Sequence, residues 1–286
     1  MRSFYLDTNN TRLHIVEAGD PESKRHVIFL HGFPEYWWAW RYQIDYFLKA
    51  NYRIWMPDLR GYNRSQGSQQ LTDYSIDMLT KDILGVMDAA GFHEHQGYLV
   101  GHGWGGVMVW WLANKYRSLL RRAAIINAPH YQVWREFLRQ DDEQQQNSRY
   151  LFNFQIQPHP EHDLQANDYH ALVTMMYQMG GVCFSLSPQE LTRYKTAWSR
   201  PHTISHMLNY YRAMFTVPTI PAPDPTIKPT TLLLWGQQNT TFTWRMAKPS
   251  IRHCEKGHLI LLPNVGHWAH QEAADTVNKH IVSFFR

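Results

Sequence analysis

Alternation of apolar and polar positions opens the chain. Phe4 and Leu6, then Leu13 and Ile15 set against Arg12, His14 and Glu17, predict two antiparallel strands turning at Asn9-Asn10, a hairpin at one edge of a sheet. Short, wholly apolar runs follow. Residues 27 to 30 are bounded by charge on one side and by His31-Gly32-Phe33-Pro34 on the other; a strand with no polar face is buried on both sides, which implies a parallel sheet. Residues 53 to 58, 123 to 126, 231 to 236 and 259 to 263 read as further strands. Between them lie stretches at helical spacing. Residues 36 to 50 carry Trp37, Trp38, Trp40 and Phe47; residues 75 to 90 carry Ile76, Leu79, Ile83, Leu84 and Met87 and stop at Gly91. Residues 271 to 285 close the chain as an amphipathic helix.

The regular alternation breaks for about ninety residues after the strand at 123 to 126. From about His130 to Pro218 the chain is helical and polar, and a proline-rich connector runs from Pro218 to Pro229. The expected organisation is a core of residues 1–129 and 230–286, with residues 130–229 inserted as a helical lid. Right-handed parallel crossovers place ligands at the carboxyl ends of the strands. His31, Gly103, Asn239 and His267 all fall there.

Candidate chemistry centres on residues 98 to 108, an apolar run that ends in Gly101-His102-Gly103-Trp104-Gly105-Gly106 before apolar residues resume. This reads as strand, sharp turn and helix. The residue at such an apex projects into a cleft, and glycines flank it because a Cβ would clash. The apex here is Gly103, so the architecture of a nucleophile is present without its side chain.

The string resembles the elbow of the α/β-hydrolase-fold epoxide hydrolases and, more distantly, the haloalkane and haloacetate dehalogenases, where an aspartate stands at the position of Gly103. The resemblance runs from about residue 4 to the end. It implies a mostly parallel eight-stranded sheet flanked by helices, with an inserted helical lid. The run from His31 to Gln43 is similar to epoxide hydrolases throughout. By that similarity the Phe33 N–H, with that of Trp104, forms an oxyanion hole, and Trp37 lines the substrate pocket; plain core packing is the alternative for Trp37. His267, in Gly266-His267-Trp268, takes the place of the catalytic histidine, which activates water. His102 precedes the apex in active members too and is expected to pack behind the turn. The acid that orients the histidine falls on Asn239, in Trp235-Gly236-Gln237-Gln238-Asn239. An amide can accept from an imidazole N–H but cannot stabilise an imidazolium as a carboxylate does. Some dehalogenases carry the acid at the end of the preceding strand, where this chain has Asn127-Ala128-Pro129-His130.

Two lid tyrosines are implied as proton donors to the epoxide oxygen. Asn209-Tyr210-Tyr211-Arg212 places one at Tyr211, and the alignment of residues 150 to 155 places Asn153 at the other. On that reading, three of five expected groups depart together: nucleophile, orienting acid and one tyrosine. An ester on a carboxylate at the apex cannot form. Three readings stay open: non-covalent hydrolysis or proton transfer with His267 as base and Tyr211 as acid, a small-molecule binder that has shed the chemistry, or a disabled form of an active hydrolase.

Composition narrows the partners. The 286 residues, 44% hydrophobic, suffice for one large domain or a domain with a lid. A net charge of +4 is carried by scattered basic residues, which argues against nucleic acid. Cys183 and Cys254 fit neither a disulfide framework nor a zinc pattern, and the start of the chain lacks the apolar stretch of a signal peptide. The expectation is a cytoplasmic protein, monomer or homodimer, that takes a small molecule and binds neither membrane nor nucleic acid. No metal or cofactor motif is visible.

Overall fold

A computed structural model of the chain describes residues 1–156, 159–219 and 224–286, and for residue 159 the backbone only. Most of the Pro218 to Pro229 connector's first half lies outside the described residues. The strands β1 (Arg2–Thr8), β2 (Thr11–Ala18), β3 (His26–Leu30), β4 (Arg53–Pro57), β5 (Gly97–His102), β6 (Leu120–Ile126), β7 (Thr230–Gly236) and β8 (Gly257–Leu262) form one sheet in the order β1-β2-β4-β3-β5-β6-β7-β8. The hairpin is where the alternating pattern placed it, at the edge. Asn9 and Asn10 both take positive φ, 45° and 57°, which matches the twist of a two-residue hairpin turn. β2 also pairs antiparallel with β4, and from β4 to β8 every pairing is parallel. The continuous apolar runs occupy these central strands; Val27, Ile28, Phe29, Leu30, Leu99 and Val100 are all fully buried.

Helices cover both faces. They are α1 (Arg41–Lys49), preceded by one 3₁₀ turn over Trp37–Trp40, α2 (Ile76–Ala89) and α3 (Trp104–Lys115). Ser75 caps α2 by accepting the Met78 N–H. Between β6 and β7 the chain runs through α4 (Tyr131–Gln140), α5 (Asp142–Asn147), α6 (Arg149–Asn153), α7 (His159–Met179, broken at residues 166–169), α8 (Pro188–Trp198) and α9 (Thr203–Thr216). After β7 come α10 (Ala247–Ile251), α11 (Ala269–Glu272) and α12 (Ala274–Phe285). The single C-terminal helix expected from the sequence is therefore two, parted at Ala273, whose φ and ψ of −130° and 43° are not helical.

The α4–α9 segment is fastened over the carboxyl ends of the strands by polar contacts to the core backbone. The Trp198 indole N–H donates to the Pro34 carbonyl at 2.7 Å, the Tyr210 hydroxyl to Arg60 at 2.8 Å, and the His267 amide to Met179 at 3.0 Å. Among the described residues no helix is long and apolar enough to cross a membrane, and both cysteines are free thiols.

Candidate active site

The elbow forms because β5 is buried along its whole length and must turn at once into α3. Gly103 sits at φ 52°, ψ −120°, a backbone conformation that L side chains rarely adopt. The turn is tight: a Cβ on Gly105 would strike the Leu30 carbonyl. The Gly105 amide donates to the His31 carbonyl at 3.1 Å, which welds the start of α3 to the loop after β3. That loop abuts the apex, since a Cβ on Gly103 would stand 3.5 Å from the Gly32 Cα and 3.8 Å from His267 Nε2. Both are ordinary contact distances, so there is room for a side chain directed at the imidazole. The Phe33 and Trp104 amides have no hydrogen-bond acceptor among the described residues.

His267 is held by its backbone. The Glu272 carboxylate accepts the amides of Gly266 at 2.8 Å and Trp268 at 2.9 Å, bracketing it. The His267 carbonyl accepts from His102 Nε2 at 2.8 Å and from the Asn127 amide at 2.7 Å. The residue is 4% exposed, and among the described residues its Nδ1 has no partner. Burial, with His102 beside it, lowers its pKa well below the ordinary value. His102 packs behind the turn, as expected, with Nδ1 3.0 Å from Glu35 Oε2.

Asn239 does not take over the acid's task. Its Oδ1 accepts the amides of Thr241 at 2.9 Å and Phe242 at 3.2 Å, and its Nδ2 is buried without a partner. The side-chain oxygen is committed to shaping its own loop. Asn127, at the end of β6, offers no replacement. Its Oδ1 accepts the Gly236 amide at 2.8 Å and its Nδ2 spans the Gly266 and His267 carbonyls, so it splices three strand ends together.

The α4–α9 segment changes one expectation outright. Asn153 is exposed and stays outside the elbow cavity, because Leu151 and Phe154 take the buried positions of this one-turn helix. Tyr150, three residues earlier, reaches the cavity, where its ring packs edge-on against Tyr211 with centroids 5.9 Å apart. The Trp104 ring also meets Tyr211 edge-on, with centroids 5.5 Å apart. Two tyrosines, Tyr150 and Tyr211, therefore line the cavity, and Asn153 does not. Arg212 sets their spacing: its guanidinium donates to the Phe154 carbonyl at 2.9 Å and pairs with Glu161 at 2.6 Å, drawing α9, the end of α6 and α7 together. Burial raises the pKa of both hydroxyls, so both remain proton donors at neutral pH.

Trp37 differs as well. Its amide donates to Asp58 Oδ1 at 3.0 Å, and its half-buried ring lines a separate cavity beside His14 and Arg64 instead of the one at the elbow. The elbow cavity has a volume of about 480 Å³ and is walled mainly by apolar side chains, with Gly103, Trp104, His267, Phe33, Tyr150 and Tyr211 around the apex.

Two further residues escaped the sequence reading. Glu35 is buried beneath the site, and His270 Nε2 lies 3.1 Å from its Oε1. Burial alone would raise the Glu35 pKa, but His270 and His102 hold it well below the usual carboxylate range. Burial lowers His270 to about 4, against the pull of Glu35. Glu35, His102 and His270 present three ligand atoms within 4.8 Å of one another, the one arrangement among the described residues that could hold a metal; their hydrogen bonds to each other already satisfy it. Glu35 stands directly after the loop motif that drew attention, but nothing in the sequence pairs it with histidines 67 and 235 positions away.

The elbow, the histidine after β8 and the helical segment after β6 define a class, and comparison with known proteins bears it out. Residues 25–274 match the α/β-hydrolase fold family, to which the chain belongs. Within it the chain is epoxide-hydrolase-like. It is 32% identical to human epoxide hydrolase 4, covering 98% of this chain and 77% of the human protein. It is 33% identical to the AB hydrolase superfamily protein YfhM of Bacillus subtilis, covering 99% and 97%. The crystal structure of Bacillus megaterium epoxide hydrolase in complex with an inhibitor superposes with a TM-score of 0.89 at 26% identity, covering 98% of this chain and 99% of that one.

Proposed function

We propose that this protein captures a small, largely apolar molecule with one polar group in the cavity between the core and the α4–α9 lid, and does not turn it over by the covalent epoxide route. The observation that carries this reading is Gly103. A covalent route needs a carboxylate to attack an epoxide carbon and form an ester, and the apex offers only a Cα–H. The second departure points the same way. With the Asn239 oxygen spent on its own loop and Nδ1 of His267 unpartnered among the described residues, no hydrogen-bonded carboxylate supports an imidazolium, and without that support the imidazole is a poor base.

The retained parts suit recognition. Tyr150 and Tyr211 present hydroxyls to an oxygen of the ligand, and the Phe33 and Trp104 amides form an oxyanion hole with nothing in it to stabilise but the ligand. One observation favours a second reading, hydrolysis by water on His267: the space at Gly103 lies next to Nε2. The two separate in one experiment. Styrene oxide and its diol are offered to the purified protein, with binding followed by ligand-observed NMR and hydrolysis by chromatography. Binding of both without diol formation supports capture. Turnover that disappears in His267→Ala replaces it with the water mechanism.

A further inference from the structure

We infer that the polar group of the ligand is a carboxylate, which seats itself where the family's aspartate side chain would lie. The inference rests on the capture reading above and specifies its ligand as an amphipathic monocarboxylate. The geometry at the apex is that of a carboxylate receptor left without its carboxylate. Gly103 leaves a space bounded by Gly32 Cα and by His267 Nε2, 3.5 and 3.8 Å from where a Cβ would stand. Two backbone N–H groups without acceptors, those of Phe33 and Trp104, flank it. Trp104 opens the twelve-residue helix α3, whose N-terminal partial positive charge favours an anion.

His267 supplies the independent observation. The residue is 4% exposed, Nδ1 has no partner among the described residues, and Nε2 faces the position a Cβ at 103 would take. With no acceptor at Nδ1, a proton placed there would be a buried donor without a partner. The tautomer that carries its proton on Nε2 avoids this and aims an N–H at the space. A ligand carboxylate then accepts from Phe33, Trp104 and His267 together. A neutral amide of the same shape offers one oxygen to those three donors and sets its own N–H₂ against one of them.

The electrostatics of the wall agree. Among the described residues that line the cavity there is no Asp or Glu, while Arg135 and Arg139 stand on the exposed side of α4. The guanidinium groups that line the cavity favour an anion within it. The remaining lining is aromatic and aliphatic, which sets the rest of the ligand: an alkyl or arylalkyl chain.

The test is calorimetric titration of the protein with 4-phenylbutyrate and decanoate, each against its primary amide. The acids are expected to bind at least about tenfold tighter than their amides. In His267→Phe, which removes the third donor, that preference falls severalfold. In Gly103→Asp, whose own carboxylate fills the space, it is lost while the amides still bind. Equal affinity of acid and amide in the native protein, or a preference that survives Gly103→Asp, overturns the inference and leaves capture of neutral molecules standing. Absence of binding by acids, amides and the diol alike overturns both. Circular dichroism melts show whether Gly103→Asp folds at its positive φ; if it does not, the native acid-to-amide ratio and His267→Phe decide.

Discussion

Two imidazoles lie 4.6 Å apart beneath the elbow and meet opposite fates. His102 is saturated: Glu35 at Nδ1 and the His267 carbonyl at Nε2. His267 is bare at Nδ1, and the only amide oxygen assigned to it by position is turned toward Thr241 and Phe242. The region retains a buried carboxylate, but it serves the ring behind the turn and not the ring in the cavity. Burial is common to both rings, so burial alone does not make a catalytic base. A base needs both a carboxylate on the far nitrogen and a near nitrogen that faces the cavity.

The strongest way to break the contrast is to give His267 what His102 has. The double variant Gly103→Asp, Asn239→Asp is expected to turn over styrene oxide, from no covalent activity to a rate above that of Gly103→Asp alone by about 10⁴-fold, the scale of an Asp-to-Asn exchange in a related histidine relay. Gly103→Asp alone should instead accumulate the alkyl ester, because hydrolysis of the ester needs the activated base. Intact-protein mass spectrometry reads that adduct directly. Equal turnover by the single and double variants would show that Asn239 is not limiting.

Asn239→Asp by itself sharpens the same point without chemistry. An opposite charge near an imidazole raises its pKa by about 1 to 3 units, so the His267 resonance should titrate higher by NMR while that of His270 stays put.

Acid sensitivity follows from the buried rings. Burial lowers His130 to about 3, and lowers His206 and His270 to about 4, from 6.5. Below 6.5 the unfolded chain binds protons that the native protein refuses, so stability is full above that pH and falls as the pH drops toward 4. Urea midpoints measured across that window should decline steadily. His206→Gln should lessen the slope, with the neutral side chain removing one of the protons involved.

The smallest effect concerns the loop that claims Asn239. Gln144 on α5 clamps it, donating to the Thr241 carbonyl at 2.9 Å and accepting the Thr243 amide at 3.0 Å. Gln144→Ala should lower stability by about 1 to 3 kcal/mol through unsatisfied backbone groups, and restore no activity. Differential scanning calorimetry with the epoxide assay checks both.

Much of this was legible in the chain before folding. The switch from alternating to continuous apolar runs marked the hairpin and the parallel strands, and Asn9-Asn10 named its own turn. The elbow was visible because glycines there are demanded by backbone crowding, which local sequence records. The α4–α9 segment was less legible. Tyr150 and Asn153 are one helical turn apart, and only packing of Leu151 and Phe154 decides which of them meets Tyr211. Trp37 was illegible for a similar reason, since its amide answers to Asp58, a residue on another strand's end. Glu35 with His102 and His270 is a contact across 235 positions, and spacing along the chain carries no trace of it.

The conformation of Gly103 has a consequence for restoring the site. Two substitutions, Gly103→Asp and Asn239→Asp, would place carboxylates where the family resemblance expects them. The steps are unequal in physical terms. An aspartate at 239 enters a loop whose amides already point at its oxygen, whereas any side chain at 103 must be forced into a turn at φ 52°, at about 1 to 3 kcal/mol of strain. Of the two substitutions, the one at 103 therefore carries the backbone strain, and the one at 239 carries none.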